Sequence, residues 1–365
     1  MAAALACASC SGSGSDEPQL RTYAGSDDAI VYCGRVDRTA ANPRLWASGA
    51  HFDFGFSGTR CEIAIADEQL YGTNYNYLEV IVDDNASRRI RTLGRNNLLV
   101  LGTLPPGEAR PDTACVIELG LTLDDGPHTV SVVRDTETGM GYTETQWVRA
   151  AQLTAPPQRR RVIEYIGDSM TCGAEAYMDS VQCGQGTWFD RHMAYNAYGP
   201  TASRLLGYDW MLTSVSGIGL IHSCCEMTIT MPQVFGKVAL STDRIDWNFE
   251  VQPDIVCICL GQNDGIQDED LFVTAYIDFV KQLRGHYPEA RIVCLSSPMA
   301  DEQLTAFMQH AITRALLGLH DEGETNVSSY FFARAYNQGC GGHPDIADHG
   351  AIGRELADYL SGLTD

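Results

Sequence analysis

Positive charge, long apolar runs and paired cysteine motifs are all scarce in this chain, and each shortage argues against a class of function. Only 25 Lys and Arg stand against 47 Asp and Glu, a formal net charge of −22. Such a chain repels a polyanion, and its one basic cluster is the short run Arg159, Arg160 and Arg161. Nucleic acid is therefore not expected as a partner, and neutral substrates are favoured. No apolar run approaches the roughly 20 residues of a membrane span, so the mature chain is expected not to cross a bilayer. Cys7 and Cys10 form a C-x-x-C with no second pair, which is not a zinc ligand set. No internal repeat is visible.

What is present describes a globular chain. With 365 residues, 44% hydrophobic and 20% charged, it can bury a sizeable core, and its length favours two domains. Most of the 13 cysteines sit singly in apolar segments such as "DIVCICLG" and "RIVCLSSP", where they read as small core residues. A Cys172–Cys183 disulfide is open to an exported chain. The opening "MAAALACASCSGSGSDEP" resembles the tail of a bacterial lipoprotein signal with Cys7 as the lipidated residue, although the charged n-region is missing and the apolar core is short. It reads as a truncated export signal of a secreted, periplasmic or cell-surface protein, lipid anchoring through Cys7 being one form of that reading. A featureless flexible start is the alternative.

Three regions follow. Residues 1–28 read as leader and linker. Over 29–155, period-two alternation recurs: Phe52, Phe54 and Phe56; Ile63 and Ile65; Leu78, Val80 and Val82; Val130 and Val132. Turn-like "DDNAS", "PPGEARPD" and "DDGPH" separate these runs, so an antiparallel β-sandwich is expected. Over 156–365 the pattern changes to apolar strands at 162–166, 255–260, 292–295 and 330–333, alternating with amphipathic helices. That order predicts a parallel sheet covered on both faces, with ligands at the carboxyl ends of its strands.

The candidate residues lie where those strands end. In "VIEYIGDSMTCGAEA", Ser169 is either a helix cap or a nucleophile exposed to a crevice. It is not in a G-x-S-x-G elbow, because Thr171 occupies the final glycine position. In "CICLGQNDG", Asn263 could donate its amide to an oxyanion, or serve only a turn. Gly217 in "TSVSGIGLI" would let a main-chain N–H approach a ligand. His343 in "NQGCGGHPDIADHG" has the position a general base needs.

Gly-Asp-Ser at the first strand, a loop glycine, Gly-x-Asn-Asp and a late His-Pro, in that order, resemble the four blocks of the SGNH (GDSL-like) hydrolases. Together with "GRVD", "FDFGFSGTRCEI" and "GPHTVSVVRDTE" upstream, the chain from about residue 30 onward is similar to carbohydrate esterase family two. The resemblance implies an N-terminal jelly roll, a C-terminal α/β/α three-layer hydrolase and no cofactor or metal. It implies removal of O-acetyl groups from plant polysaccharides such as xylan or glucomannan, or from 6-O-acetyl hexoses. By position, Ser169 becomes the nucleophile, His343 the base, and the N–H groups of Ser169 and Gly217 with the Asn263 side chain the oxyanion hole.

Two departures stand out. Where the superfamily commonly has an aspartate three residues before the histidine, this chain has Cys340; where family two often has Asp-aromatic, it has Gly341 and Gly342. A Ser-His dyad oriented by a main-chain carbonyl is therefore expected, with Asp345 and Asp348 as acids at a helix start. Rival readings are a glycan-binding protein on a decayed hydrolase, and a lipase or thioesterase acting on other acyl groups. The jelly roll would bind glycan or wall one side of the cleft.

Overall fold

A computed structural model describes residues 19–104, 114–156, 161–179, 181–242 and 245–363. Cys7, Cys10 and the leader through residue 18 lie outside the described residues, as do Arg159 and Arg160.

The alternation in "HFDFGFSG" belongs to one 17-residue strand, His51–Asp67. Successive side chains of a strand point to opposite faces, so Phe52, Phe54 and Phe56 enter one core, none more than 1% exposed. Along one edge this strand pairs with Pro127–Arg134 and then with Asn96–Gly102; along the other it pairs with Val31–Cys33 and then with Thr143–Thr154. Exchanging partners along one strand lets the antiparallel sheet curl around a single core that also takes Ile63, Leu99, Val130 and Val148. Asn96–Gly102 and Cys115–Glu118 pair in parallel, the one such pair in this sheet among the described residues. Arg21–Ala24, inside the segment read as leader, is a further strand on Thr143–Thr154.

The second half forms a five-stranded parallel sheet: β1 (Val162–Gly167), β2 (Asp209–Ser214), β3 (Ile255–Cys259), β4 (Arg291–Leu295) and β5 (Val327–Tyr330), in the spatial order β2-β1-β3-β4-β5. The helices used below are α1 (Ser169–Cys172), α2 (Tyr198–Leu206), α3 (Glu269–His286), α4 (Glu302–Asp321) and α5 (Ile346–Ser361). Val256 and Ile258 of β3 face α3 and α4, whereas Ile255, Cys257 and Cys259 face α2 and α5. Both faces are covered, which is why β3 reads as an unbroken apolar run. Asp268 and Asp301 cap α3 and α4, accepting from the N–H of Leu271 and Leu304. β5 lies earlier than the expected 330–333, because it is an edge strand whose Ser328 and Ser329 weaken the apolar signal, while Phe332 has already left the ladder to donate its N–H to Ser296 Oγ.

Cys257, Cys259 and Cys294 are buried thiols, as their apolar surroundings suggested. The Cys172–Cys183 pairing left open by the sequence does not form. Cys172 points into the core and donates to Ser214 Oγ at 3.2 Å, whereas Cys183 lies on an exposed loop and is bonded to Cys340.

The two sheets meet through buried polar contacts. Arg35 of "GRVD" donates to Thr213 Oγ1 (2.9 Å), Phe235 O (2.7 Å) and Lys237 O (2.8 Å), and stands 3.4 Å from Glu164 Oε1. A fully buried guanidinium is tolerable only with such a full set of partners.

Candidate active site

The order β2-β1-β3 places the loops after β1, β2 and β3 side by side at the carboxyl edge of the sheet, where the strand order reverses and crevices form. Ser169, Gly217 and Asn263 come from these three loops. Asp168, not Ser169, is the cap of α1, its Oδ1 accepting from Met170 N at 3.1 Å. Ser169 is thus the first helical residue, and its Oγ is 2.9 Å from His343 Nε2. Burial pushes the Asp168 carboxyl up to about 7, with the Met170 N–H opposing.

His343 follows the turn Cys340–Gly342 and precedes α5. Its Nδ1 is 3.1 Å from Cys340 O. A carbonyl only accepts, so the proton of the neutral ring sits on Nδ1, and Nε2 is left with a lone pair facing the Ser169 hydroxyl. Burial pushes the His343 imidazole below the usual histidine range; the Cys340 carbonyl opposes that shift. Asp345 caps α5 and Asp348 Oδ2 accepts from Gln338 N at 2.9 Å, so both acids serve the helix start.

Gly217 has φ +83°, and a Cβ there would lie 2.9 Å from Cys224 Sγ, so the loop requires glycine. Among the described residues, neither Ser169 N nor Gly217 N has a main-chain acceptor outside regular elements. Asn263 Nδ2 donates to Ile218 O at 3.0 Å and to Asp168 Oδ2 at 3.1 Å, joining the three loops directly.

Several supporting residues escaped the sequence reading. Asp264, 2% exposed, accepts from the N–H groups of Leu220, Ile221 and His222 at 2.7–3.1 Å, holding the loop that follows Gly217. Its signal was the Asn-Asp-Gly turn, read for the asparagine alone. Asp264→Ala leaves three amides short of an anionic acceptor and is expected to lower stability by at least about 3 kcal/mol in urea unfolding. Glu137, from the other domain, accepts from His192 Nε2 (2.8 Å) and from Ser216 N (2.8 Å), next to Gly217. Burial would raise its carboxyl, but these partners outweigh burial and hold it below the usual range. No local pattern links an acid at the end of "GPHTVSVVRDTE" to a loop some 80 residues away.

Beside Ser216, a cleft of about 420 Å³ opens between the domains, lined by Trp46, Tyr71 and Glu137 from one and Trp188, Ser216 and Met227 from the other. Among the described residues one group has metal-ligand chemistry: Cys33, His51 and Asp209, at the opposite end of β2 from Gly217. His51 Nε2 is already 2.8 Å from Asp209 Oδ1 and its Nδ1 2.9 Å from Gly49 O, which makes the group an interdomain ion pair. Burial alone would lower the His51 pKa, yet Asp209 raises it to about 9.

Comparison with known proteins bears on the fold and the family. Residues 32–157 match the family model described as carbohydrate esterase 2 N-terminal. The chain is 27% identical over 343 residues to "Cellulase/esterase CelE" of Acetivibrio thermocellus, covering 90% of this chain but 38% of that one. It is 23% identical to an "Acetylxylan esterase / glucomannan deacetylase" of Cellvibrio japonicus, covering 85% of this chain and 83% of the relative. Among solved structures, a family two carbohydrate esterase from Clostridium thermocellum in complex with cellohexaose superposes with a TM-score of 0.79 at 23% identity, over 91% of this chain and 98% of that one. Residues 32–157 thus match the N-terminal domain model of the family two carbohydrate esterases, and the two sheets share the fold of solved structures from that family.

Proposed function

We propose that the chain is a serine esterase that removes O-acetyl groups from plant cell-wall polysaccharides or their oligosaccharides. The observation that carries this reading is the 2.9 Å contact between Ser169 Oγ and a His343 imidazole whose other nitrogen is taken by a carbonyl. The relatives named as acetylxylan esterase and glucomannan deacetylase supply the substrate class. Ser169 Oγ gives its proton to His343 Nε2 and attacks the acetyl carbonyl carbon. The tetrahedral oxyanion is met by the N–H groups of Ser169 and Gly217 and by one Asn263 N–H, for which it competes with Ile218 O. Collapse expels the sugar oxygen, which takes the proton from Nε2. Water, deprotonated by the same nitrogen, then releases acetate.

In this reading the β-sandwich, a jelly-roll domain that extends back to residue 21, walls one side of the cleft, while the hydrolase domain starts near residue 156. The aromatic rings of Tyr71 and Trp188, 84% and 40% exposed, offer the cleft faces on which a pyranose can stack. The Cys183–Cys340 disulfide, of a kind that persists in an oxidising compartment, supports a secreted or cell-surface location.

Because the base must be neutral, activity is lost as pH falls through the His343 pKa. Burial depresses that value, so in a pH profile with aryl acetate the acid limb of kcat/KM is expected to lie at lower pH than an ordinary imidazole would place it, and to fall tenfold per unit once well below the midpoint. The direct test is acetate release from acetylated xylan, acetylated glucomannan and 6-O-acetyl glucose, with Ser169→Ala as the blank. Release from none of them, with intact glycan binding, would leave a binding protein. Equal rates on butyryl and acetyl aryl esters would point to another acyl class.

A further inference from the structure

We infer that the Cys183–Cys340 disulfide is the positioning element of the histidine, standing where related enzymes place an aspartate, and that the esterase works at full rate only when this bond is oxidised. The inference rests on the proposed role of His343 as the base.

Cys340 O is the group that orients the imidazole, and the same oxygen receives His343 N at 3.2 Å, while Gly339 N donates to His343 O at 2.6 Å. Between them, Gly341 and Gly342 adopt φ of +62° and +76°. Two successive glycines in left-handed conformations form the most pliable linkage a chain can offer, because nothing beyond the main chain restricts them. A carbonyl carried on such a linkage orients a ring only if the residue bearing it is itself anchored. On the far side, the turn runs into α5 at its cap Asp345, and two residues before Cys340 a single hydrogen bond, Gln338 N to Asp348 Oδ2, holds the chain to the same helix. On the near side, the covalent anchor is Cys183, 157 residues earlier.

The loop that carries Cys183 is held in turn. Arg191 donates to Gln185 O and pairs with Glu175, and Thr187 with Asp190 closes a capping box around the turn Trp188–Arg191. The bond therefore ties the turn of the base to the framework just after α1, the helix that begins with Ser169. Cys183 is exposed and Cys340 only 4% exposed, so a soluble reductant meets the bond at Cys183. With a water-soluble phosphine, the S–S bond breaks and the two sulfurs take two protons. The phosphine gives up two electrons and becomes its oxide with the oxygen of one water. Cys340 then stays on its turn with hydrogen bonds but no covalent tether, and the imidazole samples orientations in which Nε2 no longer faces Ser169. A displacement of about 1 Å at a reacting group costs on the order of 100-fold in rate.

The test compares the oxidised chain, the phosphine-reduced chain with its thiols counted by titration, Cys183→Ser and Cys340→Ser. Cys340→Ser keeps the carbonyl and removes only the tether, and both variants leave intact a second disulfide, between the adjacent Cys224 and Cys225, whose Cys224 N donates to Gly217 O, so effects at the Gly217 loop are separated. Near-ultraviolet circular dichroism matched to the oxidised chain ensures that folded protein is read. The expected result is a fall in kcat for aryl acetate of about 10- to 100-fold with KM within a factor of about three, reversed on reoxidation of the reduced chain. Nitrogen-15 spectra of the His343 ring are expected to show one tautomer, protonated on Nδ1, when oxidised, and a mixture in both variants. Full kcat with a single tautomer in the reduced chain and both variants would overturn the inference. An oxidised chain with a locked tautomer and no esterase activity would instead remove the proposed function and leave the positioning role standing.

Discussion

Ser169→Ala is expected to lower kcat/KM for aryl acetate by at least about 1,000-fold, the largest effect of any single substitution in this chain. The alanine lacks the oxygen that, in the proposed mechanism, forms the acyl-enzyme and that stands 2.9 Å from His343 Nε2. What survives is the stabilisation offered by the oxyanion donors, which acts on a slower, uncatalysed attack. The fold has no reason to change. Asp168 retains the cap of α1, alanine favours a helix, and only a small side chain is removed. Urea unfolding that overlays the parent chain, together with lost turnover, separates chemistry from stability. Undiminished turnover would dismiss Ser169 as the nucleophile.

Asn263→Ala is expected to lower kcat about 100-fold, roughly 3 kcal/mol of transition-state stabilisation, with KM little changed. The split follows from the chemistry: the negative oxygen exists in the transition state and hardly at all in the bound ester, so a donor aimed at it acts on kcat. In the resting protein both Asn263 N–H groups are occupied, by Ile218 O and Asp168 Oδ2, so the substitution also loosens the contact among the three loops. Asn263→Asp keeps the shape but removes both N–H donors, so it loses the fastening contacts too; urea unfolding of each variant reads that loss, and kcat of the folded protein reads the donor. Loss of turnover in both variants supports a donor. A loss of stability alone, with kcat retained, would reduce Asn263 to a fastener.

Much of the fold was legible because burial and period are local properties. The alternation of Phe52, Phe54 and Phe56 marked a strand with one buried face, and the largely apolar runs that became β1, β3 and β4 marked strands covered on both. Where the local signal is mixed, the reading slipped. β5 carries two serines at a sheet edge and was placed three residues late. Arg21–Ala24 has mostly exposed residues, and only its pairing with Thr143–Thr154 makes it a strand. The Cys172–Cys183 pairing failed for a different reason: closeness in sequence says nothing about the direction of a side chain, and Cys172 points inward from α1.

By itself the sequence determined which side chains could carry chemistry and which strands they follow, because a buried strand that ends in Gly-Asp-Ser or Gly-Gln-Asn-Asp announces an exposed turn at its carboxyl end. Only the tertiary structure decided that β1 lies between β2 and β3, so that the turns bearing Ser169, Gly217 and Asn263 become neighbours, a matter of strand order that no local pattern records. It also decided how His343 is held without an aspartate. The orienting group is a main-chain carbonyl, which every residue possesses and no sequence motif can mark. Cys340 acquires that role through its bond to Cys183, a contact set by the packing of distant segments.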